Sequence, residues 1–101
     1  MNREIVTMVR IYLTEGASQY ENLIGLLHDD EQVRGVTAFR GVAGFGQSGV
    51  MHSSTLLDLS LDMPIVLEFF DTPEKVEQVL NDLRTMIKPG HMVSWSAHIN
   101  S

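Results

Sequence analysis

The stretch PIVLEFFDTPE at residues 64–74 contains both kinds of secondary structure that decide the fold. Its first part, 64–70, is rich in β-branched and aromatic residues, which favour a strand, and Pro64 stands where a missing amide is tolerated. Thr72 then has the hydroxyl of a helix N-cap, and Pro73 and Glu74 suit the first turn. The stretch therefore predicts a strand that leads directly into a helix.

The sequence after this stretch predicts the rest of the helix and a final strand. Apolar residues recur at helical spacing, and Lys88-Pro89-Gly90 is expected to stop the helix: Val76, Val79, Leu80, Leu83 and Ile87. Residues 91–99 then alternate as a strand does. One face of that strand is expected to carry Val93, Trp95, Ala97 and Ile99, and the other Met92, Ser94, Ser96 and His98.

The sequence before this stretch predicts a matching first half. Residues 5–13 are rich in β-branched side chains and predict a strand with Ile5, Val9, Ile11 and Leu13 on one face. Ser18 and Glu21 have the spacing of a capping box, so a helix is expected from about residue 18 to about residue 30. Residues 35–39 predict another strand.

The resulting order is β-α-β-β-α-β. With right-handed crossovers, this order predicts an α+β, ferredoxin-like domain over residues 1–101, with two helices on one face of a four-stranded antiparallel sheet. The fold hosts many unrelated functions, so it does not by itself define one.

Composition excludes several classes of function. The chain has 101 residues, 44% of them hydrophobic, which is typical of one globular domain. Its formal net charge is −6, opposite to that expected of a protein that binds nucleic-acid phosphates or an anionic membrane. It has no cysteine, and no apolar run is long enough to span a bilayer. We therefore expect a cytoplasmic protein that is neither membrane-embedded nor bound to nucleic acid.

The segment from residue 35 to residue 49 carries five of the chain's eight glycines, and no acidic residue lies between Glu31 and Asp58. Two arginines, Arg34 and Arg40, do lie there. Glycines with positive φ expose amide groups that form anion-binding nests, so the segment suits a phosphate site. The alternative is a surface loop kept soluble by two arginines. We expect regular structure to fail over about 44–54.

A resemblance to a known family adds to this interpretation. The run GVTAFRGVAGFG at 35–46, followed by MPIVLE at 63–68, resembles the PII-like signalling family, long catalogued as a domain of unknown function. The resemblance implies a homotrimer of ferredoxin-like subunits that binds an adenine nucleotide (ATP, ADP or AMP) in clefts between subunits. It also implies a mobile T-loop at about 44–54 that signals to a target protein such as a transporter or an enzyme.

The resemblance assigns site residues one by one. Thr37, Glu68 and Phe70 correspond to positions around the base, and Gly44-Phe45-Gly46 to the base of the T-loop. Gly90 corresponds to a glycine of the phosphate-binding turn, the B-loop. The chain departs from the pattern with Gln47 in place of an arginine, His91 in place of a lysine, and Pro89 within the B-loop. The complete set of expected binding residues is Thr37, Arg40, Gly41, Gly44, Phe45, Gly46, Gln47, Glu68, Phe70, Lys88, Gly90 and His91, with Arg40 and Lys88 as substitute cations.

Three functions remain open on the sequence. We expect a non-catalytic nucleotide sensor, and the alternatives are a small enzyme of the dimeric α+β barrel type or a plain oligomerisation module. The four histidines, among them His52 in the loop, show no ligand spacing, so no metal site is predicted. The uncovered face of the sheet is expected to be apolar and to be buried in a closed homotrimer.

Overall fold

The protein is described by a computed structural model over residues 2–13, 16–45, 52–53 and 64–101. The first half contains strand β1 (Arg3–Leu13), helix α1 (Gly16–Gly25) with a π-helical turn (Leu26–Asp30), and strand β2 (Gly35–Arg40). Two short strands follow, β3 (Ala43–Gly44) and β4 (His52–Ser53). The second half contains β5 (Ile65–Asp71), α2 (Pro73–Leu83) and β6 (Met92–Asn100).

The four long strands form one antiparallel sheet in the order β2-β5-β1-β6. Strand β1 is central, and its Met8 lies opposite Phe70 of β5 on one side and Trp95 of β6 on the other. The predicted ferredoxin-like α+β arrangement is therefore confirmed. Strands β2 and β6 form the two edges of the sheet.

One face of the sheet packs against the helices and forms the core. Alternation along β1 and β5 directs every second side chain to this face. The core contains strand residues and helix residues together: Val9, Ile11, Leu13, Ile65, Leu67 and Phe69 from the sheet, and Leu23, Leu27, Val76, Val79, Leu83 and Ile87 from the helices or the turns that follow them. Ile5 shares the alternation of Val9 but is exposed.

The other face, which we call the open face, carries the alternate residues of the same strands. The registers place a mixed but largely apolar set there: Val6, Met8, Arg10, Tyr12, Gly35, Thr37, Phe39, Val66, Glu68, Phe70, Val93, Trp95, Ala97 and Ile99. Among the described residues, the large apolar side chains Tyr12, Phe39, Val93 and Trp95 of this face are between 40% and 48% exposed. The predicted two-sided alternation of the last strand is confirmed.

The first helix differs from its prediction at both ends. It begins at Gly16, so Ser18 and Glu21 lie within it and the predicted capping box is wrong. Its last part widens to a π-helical turn in which the Glu31 amide donates to the Leu26 carbonyl at 2.9 Å. Leu27 remains buried in that turn, because the wider turn still directs it to the core.

The second helix begins as predicted and ends early. The Thr72 hydroxyl accepts a hydrogen bond from the Lys75 amide at 3.2 Å, which confirms the N-cap. The regular helix ends at Leu83 rather than after Ile87, and the Arg84 and Met86 amides after it form the shorter-range hydrogen bonds of turns. The Met86 amide, for example, donates to the Leu83 carbonyl at 2.9 Å, and this turn still buries Ile87.

The segment predicted to lack regular structure is partly regular. Ala43 pairs with Ser53 and Gly44 pairs with His52, so two ends of the predicted loop form a short antiparallel ladder. Residues 46–51 and residue 54, on which most of the mobility prediction rests, lie outside the described residues. None of the helices that the structure describes has the length and apolar character needed to cross a bilayer.

Candidate functional site

A cavity of about 290 Å³ opens on the open face of the sheet. Thr37, Glu68 and Phe70 all line it, so the structure brings together the three residues that the resemblance places around a base. Thr37 and Glu68 are direct register partners on β2 and β5, and Phe70 follows two residues later on the same face of β5. The rest of the lining comes from Val6, Met8, Gly35, Val36, Ala97, His98 and Ile99.

Arg10, which the sequence analysis did not select, holds the carboxylate of Glu68. Its Nε donates to Glu68 Oε1 at 2.8 Å, from the position directly opposite on β1. Its guanidinium also lies over the Trp95 ring, 5.5 Å from the centroid. The hydrogen bond to Glu68, followed by one to Tyr12, raises the pKa of Arg10 above its ordinary value. The sequence offered one signal that could have identified Arg10, namely its position as the one arginine within the largely apolar strand predicted over 5–13.

Phe70 is held in place from two sides. Its ring lies so close to Gly35 that a Cβ there would come within 2.9 Å of Phe70 Cε1. The Arg34 guanidinium lies 5.7 Å from the ring centroid. Gly35 therefore serves a close approach, and Phe70 forms a fixed wall of the cavity.

Arg34, one of the two arginines of the acid-free segment, is paired with carboxylates from other strands. Its guanidinium donates to both carboxylate oxygens of Glu4, at 2.8 and 3.2 Å, and the hydrogen bonds to Glu4 raise its pKa. Its backbone amide donates to buried Asp71 at 3.1 Å, and Asp71 also accepts from the Thr72 amide at 2.7 Å. The acids that neutralise Arg34 come from β1 and β5, outside the acid-free segment.

The end of β2 carries the second group of predicted residues. Arg40 is exposed and forms no ion pair with the described part of the chain. The Gly41 amide is already used, because it donates to the Pro64 carbonyl at 2.7 Å. Gly44 lies in β3, and Phe45 follows it with its side chain exposed. The remaining members of this group, Gly46 and Gln47, lie outside the described residues.

The expected run of positive-φ glycines is wrong where it can be checked. Of the glycines that the structure describes, only Gly90 has a positive φ, at 86°. Position 41 instead needs a glycine because the chain passes close to Pro64, where a Cβ would lie 2.9 Å from Pro64 Cγ. The described part of the segment is therefore not an amide nest, although Gly90 has the backbone that its predicted turn needs.

The turn between α2 and β6 carries the third group: Lys88, Gly90 and His91. Lys88 and His91 line a small cavity of about 60 Å³ together with Tyr12, Leu13, Gln19, Met86 and Ile87. His91 Nδ1 lies 3.2 Å from the Tyr12 carbonyl oxygen. A carbonyl only accepts, so Nδ1 carries the hydrogen, and Nε2 of the neutral ring is an acceptor. Only the protonated ring donates from both nitrogens.

The second and third groups lie at the same end of the sheet but at opposite edges. Arg40 pairs with Ile65, which pairs with Leu13, and Met92 pairs with Ile11 of the same strand. Strands β2 and β6 are three strand spacings apart, or about 14 Å at about 4.8 Å per spacing. Within one chain, the expected binding residues at the end of β2 are therefore separated from those in the turn before β6.

Comparisons with known proteins agree on one family and one fold. The family model DUF190, described as "Uncharacterized ACR", matches residues 6–99. A UPF0166 protein of Aquifex aeolicus is 31% identical over 83 residues, covering 80% of this chain and 82% of that protein. A UPF0166 protein of Methanocaldococcus jannaschii is 29% identical over 91 residues, covering 85% and 82%.

A solved structure shares the fold. It is that of CPII, a nitrogen regulatory PII-like protein from Thiomonas intermedia K12, bound to ADP, AMP and bicarbonate. It superposes with a TM-score of 0.71 at 21% identity, covering 97% of this chain and 89% of that one. The fold predicted from the sequence is therefore that of a PII-like protein.

Replacing Gly41 by alanine should destabilise the protein. The new Cβ meets the rigid Pro64 ring and the Pro64 carbonyl, and such overpacking costs about 1–3 kcal/mol. Gly25→Ala is the matched control: Gly25 is helical and a Cβ there meets nothing within 4 Å, so it should stabilise by about 0.5–1 kcal/mol. Denaturant unfolding measures both, and equal free energies for the two variants would contradict the close contact.

Proposed function

This chain belongs to the DUF190 family, and on that premise we propose that it is a non-catalytic regulator that binds an adenine nucleotide between its subunits. The observation that carries the proposal is the cavity on the open face, around which Thr37, Glu68 and Phe70 converge. The PII-like protein of the same fold is bound to ADP and AMP. A largely apolar cavity with a few polar groups suits a flat nucleobase.

The expected binding residues at the end of β2 and those in the turn before β6 are separated, and this separation supports a site shared by two subunits. Residues after β2 and residues before β6 lie at opposite edges of one sheet, about 14 Å apart. A copy whose β2 edge lies beside the β6 edge of another copy brings Arg40 of one chain near His91 of the next. In this arrangement the phosphates bind between edges and the base binds on an open face.

The open face is the surface that self-association would bury. Four of its large apolar side chains are exposed in the single chain, and they lie on three different strands: Tyr12, Phe39, Val93 and Trp95. Such a surface is unfavourable in water, and a closed ring of three copies buries it without leaving an unpaired end. We propose a homotrimer.

The T-loop is the proposed output. The β3–β4 ladder joins the two ends of this segment and lies next to Arg40 and Gly41, so a ligand at the end of β2 touches its base. A ligand shifts the populations of a segment only through different affinities for its states. We propose that the nucleotide acts in this way on residues 46–54, and that these residues contact a target protein, such as a transporter or an enzyme.

Phe39→Asp should break the assembly. A carboxylate at this open-face position would have to be buried without a partner when copies associate. Ala38→Asp is the matched control, because Ala38 is the next residue of β2, is also exposed, and points to the other face. Light scattering should give a trimer for the native chain and the control, and a smaller species for Phe39→Asp. A monomeric native chain at micromolar concentration would contradict the assembly.

Arg40→Ala should weaken nucleotide binding by about 1.5–3 kcal/mol, the range for a charge-assisted hydrogen bond, and leave the assembly intact. Arg3→Ala is the control, since Arg3 is also exposed but lies at the other end of the sheet from Arg40. Calorimetry with ADP measures the difference. Equal affinities for the native chain and Arg40→Ala would remove Arg40 from the site.

Hydrogen exchange should reveal the output segment. Amides between residues 46 and 54 are expected to exchange at different rates without nucleotide and with saturating ATP, ADP or AMP. Amides of α2, on the far side of the sheet from the open-face cavity, serve as the internal reference. Identical exchange of the loop in every state at saturation would exclude it as the output, while leaving nucleotide binding intact.

A further inference from the structure

The residues of the open face lie in rows that cross the sheet, because its four strands pair in register. The middle row takes one residue from each strand: Val93, Arg10, Glu68 and Thr37. The rows on either side of it are uncharged and mostly apolar: Trp95, Met8, Phe70 and Gly35 in one, and Tyr12, Val66 and Phe39 in the other. The open face therefore carries a charged row between two apolar rows.

The two charges of the middle row, which we call the register pair, are Arg10 and Glu68. Arg10 Nε donates to Glu68 Oε1 at 2.8 Å, and the guanidinium lies 5.5 Å from the centroid of the Trp95 ring in the neighbouring row. In the single chain both side chains still reach water, since they are 44% and 21% exposed. A guanidinium has five N–H donors and a carboxylate has two acceptor oxygens, so one hydrogen bond does not satisfy either group once water is removed.

The helix layer of the chain is strongly acidic, whereas the open face is neutral. Within the bounds of α1, the π-helical turn and α2, one lysine accompanies six exposed acidic side chains: Glu21, Asp29, Asp30, Glu74, Glu77 and Asp82. On the open face, both carboxylates that the structure describes are paired, Glu68 with Arg10 and Glu4 with Arg34. Two copies of this chain therefore repel each other through their helix layers but not through their open faces. This distribution of charge makes a second copy the occupant that the open face suits.

We propose that the register pair determines how copies of this chain align when their open faces meet, and thereby how many copies assemble. Apolar rows alone allow several alignments, because their contacts have little directionality. A copy displaced by two residues along a strand, about 7 Å, sets an apolar row against the pair and buries its charges without polar partners. An aligned copy supplies polar groups of its own. The inference rests on the proposed function, since it assumes that copies associate through the open face.

The test removes both charges together and measures mass without nucleotide. Arg10→Met with Glu68→Leu makes the middle row as apolar as its neighbours. Replacing a buried ion pair by apolar side chains is often neutral or stabilising, so this variant should dissociate at a concentration no higher than the native chain does. Native mass spectrometry of the full chain should show a single assembly for the native protein and a mixture of assemblies for the variant.

A matched control separates alignment from added hydrophobicity. Lys75→Met with Glu77→Leu removes one cation and one anion from α2 and adds the same two apolar side chains, so it should keep the single native mass. Arg10→Val with Glu68→Val is a second version of the test, with β-branched side chains that suit strands. It should give the same mixture as the first version. Circular dichroism shows that each variant is folded before its mass is interpreted.

The single substitutions test whether the pair is buried between copies. Arg10→Met and Glu68→Leu each leave one charge without its partner, so each should raise the concentration at which the assembly dissociates by at least about tenfold. Single variants that assemble as tightly as the native chain would overturn the inference. Folded double variants that keep the single native mass, or that no longer assemble, would overturn it as well, while the proposed function stands. A native chain that is monomeric at micromolar concentration would instead refute the proposed assembly itself.

Discussion

The two-residue alternation of β1 and β5 is the constraint on which the rest of the structure depends. It sends Val9, Ile11 and Phe69 to the helices and, from positions next to them in sequence, Arg10 and Glu68 to the open face. A shift of one residue would exchange the two faces, placing the ion pair in the core and the core side chains in water. The same pairing that builds the core therefore also positions the cavity.

In the proposed function the open face serves two purposes that are coupled by geometry. Its exposed apolar side chains would be buried by self-association, and its cavity, which Glu68 lines, would receive the ligand. Burying an ion pair between subunits is costly unless its hydrogen bonds are satisfied, and Arg10 already has both Glu68 and the Trp95 ring as partners. The charged pair is thus suited to a surface that loses water, and assembly and ligand binding are expected to influence each other.

Local signals in the sequence were sufficient for much of the fold. The Thr72 cap and the alternation of 91–99 depend on near neighbours, and the family motif singled out Thr37, Glu68 and Phe70, which the fold brings to one cavity. What the sequence did not show depends on distant partners. The Arg10–Glu68 pair joins two strands, Arg34 is paired with Glu4 of another strand, and Gly41 is in close contact with Pro64.

The most direct test of this account is a crystal structure of the protein with ADP. It should show a trimer in which the base lies in the open-face cavity, against Thr37, Glu68 and Phe70. The phosphates should reach the turn that contains Lys88 and His91 of an adjacent subunit. A nucleotide bound entirely within one chain, or a base located away from Glu68, would contradict the account.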